Sequence, residues 1–406
     1  MDNLSHSLVG LALGELVDHA LPAEAEPARA RLRRRMLLVT GWAASNFPDL
    51  DLVLTPLAAP PLGYLLHHRG HTHTLLYALP QALLLLALIW LLWPSARTLL
   101  RESRAARRGA ALAGALGLVV HLAMDGLNIY GVHPFHPFDS RWLYGDLVFI
   151  IEPVLWIALG VPLAALVPAR AWRWLLYASL AAAPVTFTAL GFLQWGSLAA
   201  LALVGAGLAW LQRRRGGSAG LGGAIAVIAA FIVLQGATAN LARTRVIAEL
   251  GRVDPGSRVL DVPLSAFPAN PVCWAFATVT SNDAADSYQV RRGVLTLLPG
   301  LAPVAACPAQ LGGAPQANHQ ALEWVWEERG SISQLRALRR TNCHVDAWLR
   351  FARVPSFAGG EATDMRFSRP GFRNFSTLPY AEQAGQPCPD PVPGWGYPRA
   401  DLLGLE

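Results

Sequence analysis

The sequence predicts an all-α polytopic membrane domain of about eight membrane-embedded helices over residues 1–241, followed by a β-rich soluble domain over 242–406. Three observations carry this. The chain is 53% hydrophobic and only 15% charged, where soluble domains carry about 25% charged residues. Apolar stretches recur at 73–93, 109–125, 147–168, 172–191, 196–212 and 221–241, each near the ~20 residues needed to cross the hydrocarbon. Beyond residue 241 the apolar runs give way to proline, tryptophan and alternating patterns.

Two more polar helices precede the long stretches, near 4–20 and 36–48. The amino terminus has no basic leader and no small-residue cleavage site, so the first reads as a retained helix rather than a signal peptide. Between the stretches lie arginines: the run Arg29 to Arg35, the polar loop 94–108, the turn at Arg170 and Arg173, and the triplet 213–215. Placing all of these in the cytoplasm lets the helices alternate without exception, with both termini and the loops 49–72 and 126–146 outside. The basic residues number 33, all of them Arg, and the net charge is +6. Within 1–241 most of them fall in these short inter-helix runs, which points to membrane orientation and away from a nucleic-acid partner.

In the carboxy-terminal region, the segments starting at Trp274, Tyr288 and Trp348 read as short strands. Its four cysteines, Cys273, Cys307, Cys343 and Cys388, are the only ones in the chain. That confinement predicts an extracytoplasmic, oxidising location with at least one disulfide, in any of three full pairings.

Nine of the eleven histidines fall within the first 136 residues. With the alternation above, all but His19 reach the outer membrane face. His6 lies near the outer end of the first helix. Pro48 stops the second, and Asp49 and Asp51 follow in alternate positions. His67, His68, Arg69, His71 and His73 crowd the start of the most apolar helix. Imidazoles suit transition metals, and a guanidinium forks onto phosphate or carboxylate oxygens. His121 and Asp125 stand one turn apart on one helix face, where ionisable groups are costly and functional by default. A helix-holding His–Asp pair and a His-rich interfacial loop are the bland alternatives; convergence of four segments on one face favours a metal site. His133 and His136 follow in the next loop, serving either a second ion or the loop itself. Asp146 fits the cap of the next helix, and Glu152 lies one turn inside it, beside Pro153. His319 and His344 read as structural or exposed, and nothing near Cys343 completes a nucleophile–base pair. There is no phosphate-binding glycine loop and no nucleophile elbow. The stretch 172–241 holds no acidic residue, which argues against an ion-coupled transporter.

The set His6, Asp49, Asp51, His68, Arg69, His73, His121, Asp125, Tyr130 and Gly131 resembles the YdjM-like family of predicted inner-membrane metal-dependent hydrolases. The specific motifs cover residues 1 to about 155. That family is thought to be distantly similar to zinc-dependent phospholipase C and single-strand nucleases, which use two or three zinc ions. The resemblance implies that His121 and Asp125 ligate a first ion. Asp49 or Asp51, with His68 or His73, completes its shell, and His6 serves a further ion. The second ligand pair of the phospholipases is not cleanly present; His133 or His136 with Glu152 is the nearest approach.

The expected function is therefore hydrolysis of a phosphoester in a lipid or lipid-linked substrate, at the outer face of the inner (cytoplasmic) membrane. Zn or another divalent transition metal is the cofactor, Asp49 or Asp51 the general base, and Arg69 steadies the phosphoryl group. The rival is a non-catalytic metal-binding membrane scaffold or a permease.

Overall fold

A computed structural model describes residues 1–312, 321–367 and 373–405, so His319 lies outside the described residues. Helices run in the order α1 (Asn3–Ala20), α2 (Pro27–Ala44), α3 (Leu62–His67), α4 (Leu75–Leu92), α5 (Pro94–Glu102), α6 (Arg104–Gly126), α7 (Pro153–Ala165), α8 (Arg170–Ala189), α9 (Trp195–Arg215) and α10 (Ala219–Val253). Two compact units are present. The first takes Met1–Leu50, Thr72–Gly126 and Phe149–Val233; the second takes Asp51–His71, Leu127–Val148 and Leu234–Glu406.

In the first unit α1, α2, α4 and α6 share a core in which Met36, Leu37 and Ala44 meet Ala78, Leu85, Ala110 and Leu118. Glycines let three of these helices touch backbone to backbone. A Cβ built on Gly10 meets the Gly41 carbonyl oxygen at 2.4 Å, and one on Gly41 meets the Gly10 oxygen at 2.3 Å. A Cβ on Gly117 of α6 meets that of Ala44 at 2.6 Å. Close approach through small residues is a general device of helices packed in membranes, where apolar side chains gain little from leaving lipid.

Among the described residues, four helices are long and apolar enough to cross a membrane: α4, α6, α9 and α10. The expected number of eight is not supported. α7 has only 13 residues, about 20 Å at 1.5 Å per residue, against a hydrocarbon core of about 30 Å. α1 and α2 carry Glu15, Asp18 and five arginines, and α8 carries Arg170, Arg173 and Pro184. The loop expected at 94–108 is mostly helical, because Pro94 opens α5 at a position where its missing N–H costs nothing.

The second unit is built on an antiparallel sheet of β1 (Arg258–Asp261), β2 (Leu264–Phe267), β3 (Asn270–Asn282), β4 (Ser287–Thr296) and β5 (Leu322–Ser331). The order is β1-β3-β4-β5, with β2 also paired to β3. Trp274 and Phe276 of β3 face Leu295 and Gly293 of β4. On that face they pack with Ala242, Val246 and Leu250, a stripe one turn apart along the end of α10. That helix continues to Val253, beyond the expected end of the helical region. The core that includes Val279 and Val290 also contains Trp348 and Phe351 together with Leu65, Leu66, Tyr130 and Trp142. The apolar side chains of 51–71 and 127–148 are what tie these segments to the carboxy-terminal region.

The strands expected at Trp274 and Tyr288 are β3 and β4. The one expected at Trp348 is instead the end of a helix, Cys343–Leu349, which Asn342 caps by accepting from the amides of His344 and Val345. Trp348 and Phe351 are buried three residues apart, a helical spacing that alternation alone does not separate from a strand. Asp146 does not cap α7; it has φ 56° and binds Arg353 through two hydrogen bonds of 2.8 and 3.0 Å. The expected disulfide is found, and all four cysteines pair, as Cys273–Cys307 and Cys343–Cys388.

Candidate metal centre

The first unit gathers four ligand-type side chains from three separate segments. Asp2 caps α1 by accepting from the Ser5 amide at 2.9 Å, which starts the helix at Asn3, three residues before His6. α2 ends at Ala44, and Pro48 begins a short 3-10 stretch that carries Asp49. Thr74 caps α4 through the Tyr77 amide, and His73 sits immediately before it. His121 and Asp125 lie one turn apart near the end of α6, both wholly buried.

Asp49, His73, His121 and Asp125 each offer one atom to a set whose members all lie within 4.8 Å of one another. The His73 and His121 Nε2 atoms are 3.1 Å apart. Asp125 Oδ2 lies 3.2 Å from the first and 3.4 Å from the second. Asp49 Oδ1 lies 3.4 and 3.7 Å from the same two nitrogens. A tetrahedral zinc site with bonds of about 2.0–2.1 Å has ligand atoms about 3.3–3.4 Å apart. The donor set fits a divalent transition metal in chemistry and in spacing.

The orientation of the rings supports the same reading. His121 Nδ1 donates to the carbonyl oxygen of Ser45 at 2.7 Å. A carbonyl only accepts, so Nδ1 carries a proton and Nε2 is the nitrogen turned toward the cluster. His73 Nδ1 lies 3.0 Å from Thr72 Oγ1, and its Nε2 likewise turns inward. Gln81 in turn donates to the Thr72 carbonyl at 2.7 Å. Asp49 is the one member with any exposure, 9%, against none for the other three side chains.

Around this set, His6 stacks on His121 with ring centres 3.9 Å apart, and its Nε2 lies 3.4 Å from Asp125 Oδ1. The amino group of Met1 also bonds to Asp125 Oδ1. Glu152 accepts from the Val154 amide as the cap of α7, a position one turn earlier than expected. His19 is exposed, 3.4 Å from Glu15.

The other expected residues belong to the second unit. Asp51 Oδ1 lies 2.9 Å from His68 Nδ1, and Asp51 Oδ2 accepts from the Arg69 amide at 3.0 Å. The Arg69 backbone turns through φ 57°, and its guanidinium reaches Asn128 Oδ1 at 3.3 Å while lying 4.6 Å over the Tyr130 ring. His71 packs near His136, and His133 lies between Trp142 and Trp395. His344 is buried beside disulfide-bonded Cys343, a structural position. Sequence reasoning did not find the supports of the site, namely the Ser45 carbonyl, Thr72 and the glycine crossings. The signals were present: a helix stopped before Pro48, the alternation of His and Thr at 71–74, and glycines at 10, 41 and 117.

Residues 1–195 match the sequence model of the YdjM inner membrane protein family. The amino-terminal region is YdjM-like, and it contains every member of the metal cluster. The chain is also 27% identical over 158 residues to the uncharacterized protein YfhP of Bacillus subtilis (strain 168). That alignment covers 39% of this chain and 44% of the relative. No solved structure matches.

Proposed function

We propose that this YdjM-like membrane protein is a metal-dependent hydrolase that cleaves a phosphoester of a lipid or lipid-linked substrate at the outer face of the membrane. The observation that carries the reading is the buried set of two carboxylates and two inward-facing imidazole nitrogens. Groups of this kind are costly to bury without a cation to compensate them. A divalent ion held there supplies Lewis acidity toward a phosphoryl oxygen and makes water acidic near neutral pH.

The chain's own residues then take distinct parts. His73, His121 and Asp125 are fully buried and serve as ligands. Asp49 gives one oxygen to the set and, as its exposed member, keeps the other to accept a proton from the attacking water. Ser45 and Thr72 hold the two rings in register. His6 and Asp125 Oδ1 form the start of a second ligand group. Asp51 and His68 occupy each other, and we assign them, with Arg69, to holding the loop that carries Asn128 and Tyr130. The arginine runs support placing the catalytic end outside.

Purified protein should release the headgroup from a fluorescent phospholipid, and a chelator should abolish release until metal is restored. Undiminished release after chelation, or no turnover of any phosphoester by metal-loaded protein, would remove the hydrolase reading and favour the scaffold.

A further inference from the structure

The first unit contains a cavity of about 570 Å³ walled by α1, α2, α7 and α8. Its α1 wall is Leu4, Leu8, Leu11 and Glu15, a stripe repeating at helical spacing. Trp156 of α7 stands at the Leu4 end and donates its indole N–H to Ser5 Oγ at 3.1 Å. Ser5 directly precedes His6, whose ring stacks on His121, so a chain of contacts leads from this end of the cavity to the candidate metal set. At the other end Arg34 grips Glu15 through its Nε, at 2.8 and 3.0 Å from the two carboxylate oxygens. The pair neutralises itself and closes the apolar run with a polar floor. Leu4 to Glu15 is eleven residues, about 16 Å at 1.5 Å per residue. That is close to half of the ~30 Å hydrocarbon core, the depth of one leaflet.

We propose that this cavity holds one acyl chain of a diacyl phospholipid, with the headgroup at the His6 end. The inference rests on the hydrolase reading for its biological sense and on the cavity for its physical one. The leucine stripe excludes a polar occupant, and the volume lies within the range of ordinary ligand cavities. The floor at Glu15 and Arg34 limits the chain to about one leaflet, which selects against a long polyprenyl tail.

The test is photolabelling of the full-length chain in detergent by a phospholipid bearing a diazirine near the end of one acyl chain. Label should map to peptides containing Leu8, Leu11 or Leu180, which also line the cavity. Leu11→Trp and Ala183→Trp each fill it and should reduce that label at least tenfold while metal content stays unchanged. Leu8→Ala widens it and should retain the label, so a misfolded tryptophan variant cannot pass for a filled one. Label unchanged in both tryptophan variants, or spread evenly over α4 and α9, overturns the proposal. So does replacement of the lipid label by a crosslink to a second copy of the chain. Because labelling needs no turnover, the two readings separate. Specific label without headgroup release supports the acyl site and removes the hydrolase. Release without specific label does the reverse.

Discussion

Replacing His121 with alanine removes the ring whose Nε2 lies 3.1 Å from His73, 3.4 Å from Asp125 and 3.7 Å from Asp49. Mutating an outer-shell partner of a metal ligand typically costs 10–100-fold in affinity, so losing a ligand should cost at least about 100-fold. The effect on folding follows by mass action. At a free metal concentration 100 times the dissociation constant, binding to the native state adds about 2.7 kcal/mol. After a 100-fold loss the same concentration merely equals the dissociation constant, and the gain falls to about 0.4 kcal/mol. The assay is thermal unfolding of detergent-solubilised protein with and without metal, beside elemental analysis of the same samples. Wild-type protein should show a large metal-dependent rise in Tm, and His121→Ala almost none. His344→Ala, in the second unit, should match wild type in metal response. If His121→Ala keeps both the Tm rise and the metal content, the cluster is a packing device and the site assignment is wrong.

Gly41→Ala places a Cβ 2.3 Å from the Gly10 oxygen and should lower both Tm and bound metal, whereas Gly236→Ala, with nothing within 4 Å, should change neither. Equal metal content in the two variants would show that the α1–α2 contact does not position the site. Non-reducing mass spectrometry should find Cys273–Cys307 and Cys343–Cys388 and no other pairing. Removing the first, which closes a loop with a sequence separation of 34, should cost about 3–4 kcal/mol of stability in the second unit. In intact cells, after the native cysteines are replaced, Arg141→Cys should react with an impermeant thiol reagent and Arg214→Cys should not; equal reaction at both would reverse the proposed orientation.

The candidate metal site was legible in the sequence to an unequal degree. His121 and Asp125 could be paired from spacing, because one helical turn fixes their common face. The choices between Asp49 and Asp51, and between His68 and His73, could not be made that way. Both members of each choice are buried and of ligand type, and only the path of the chain separates them. Asp49 lies in the first unit with its oxygen toward His73 and His121, while Asp51 lies in the second and is taken by His68. Arg69 presented a similar ambiguity: its charge was evident, but its engagement by Asn128 and Tyr130 was not.

Composition and hydropathy by themselves determined that the chain is a membrane protein with a β-rich carboxy-terminal region, because lipid and sheet each impose a local pattern on the residues that meet them. α4 and α10 are visible as apolar runs, and β3 and β4 as β-rich segments with bounded ends. Tertiary structure decided what local pattern does not encode. α7 is too short to span, Trp348 is helical, and residues 51–71 and 127–148 join the core around Val279. It also decided that Gly10, Gly41 and Gly117 lie at helix contacts close enough to bring three segments onto one ion-sized space. The physical reason is range: hydrophobic periodicity acts over a few residues, whereas a ligand shell depends on distances between atoms up to 76 positions apart in the chain, as from Asp49 to Asp125.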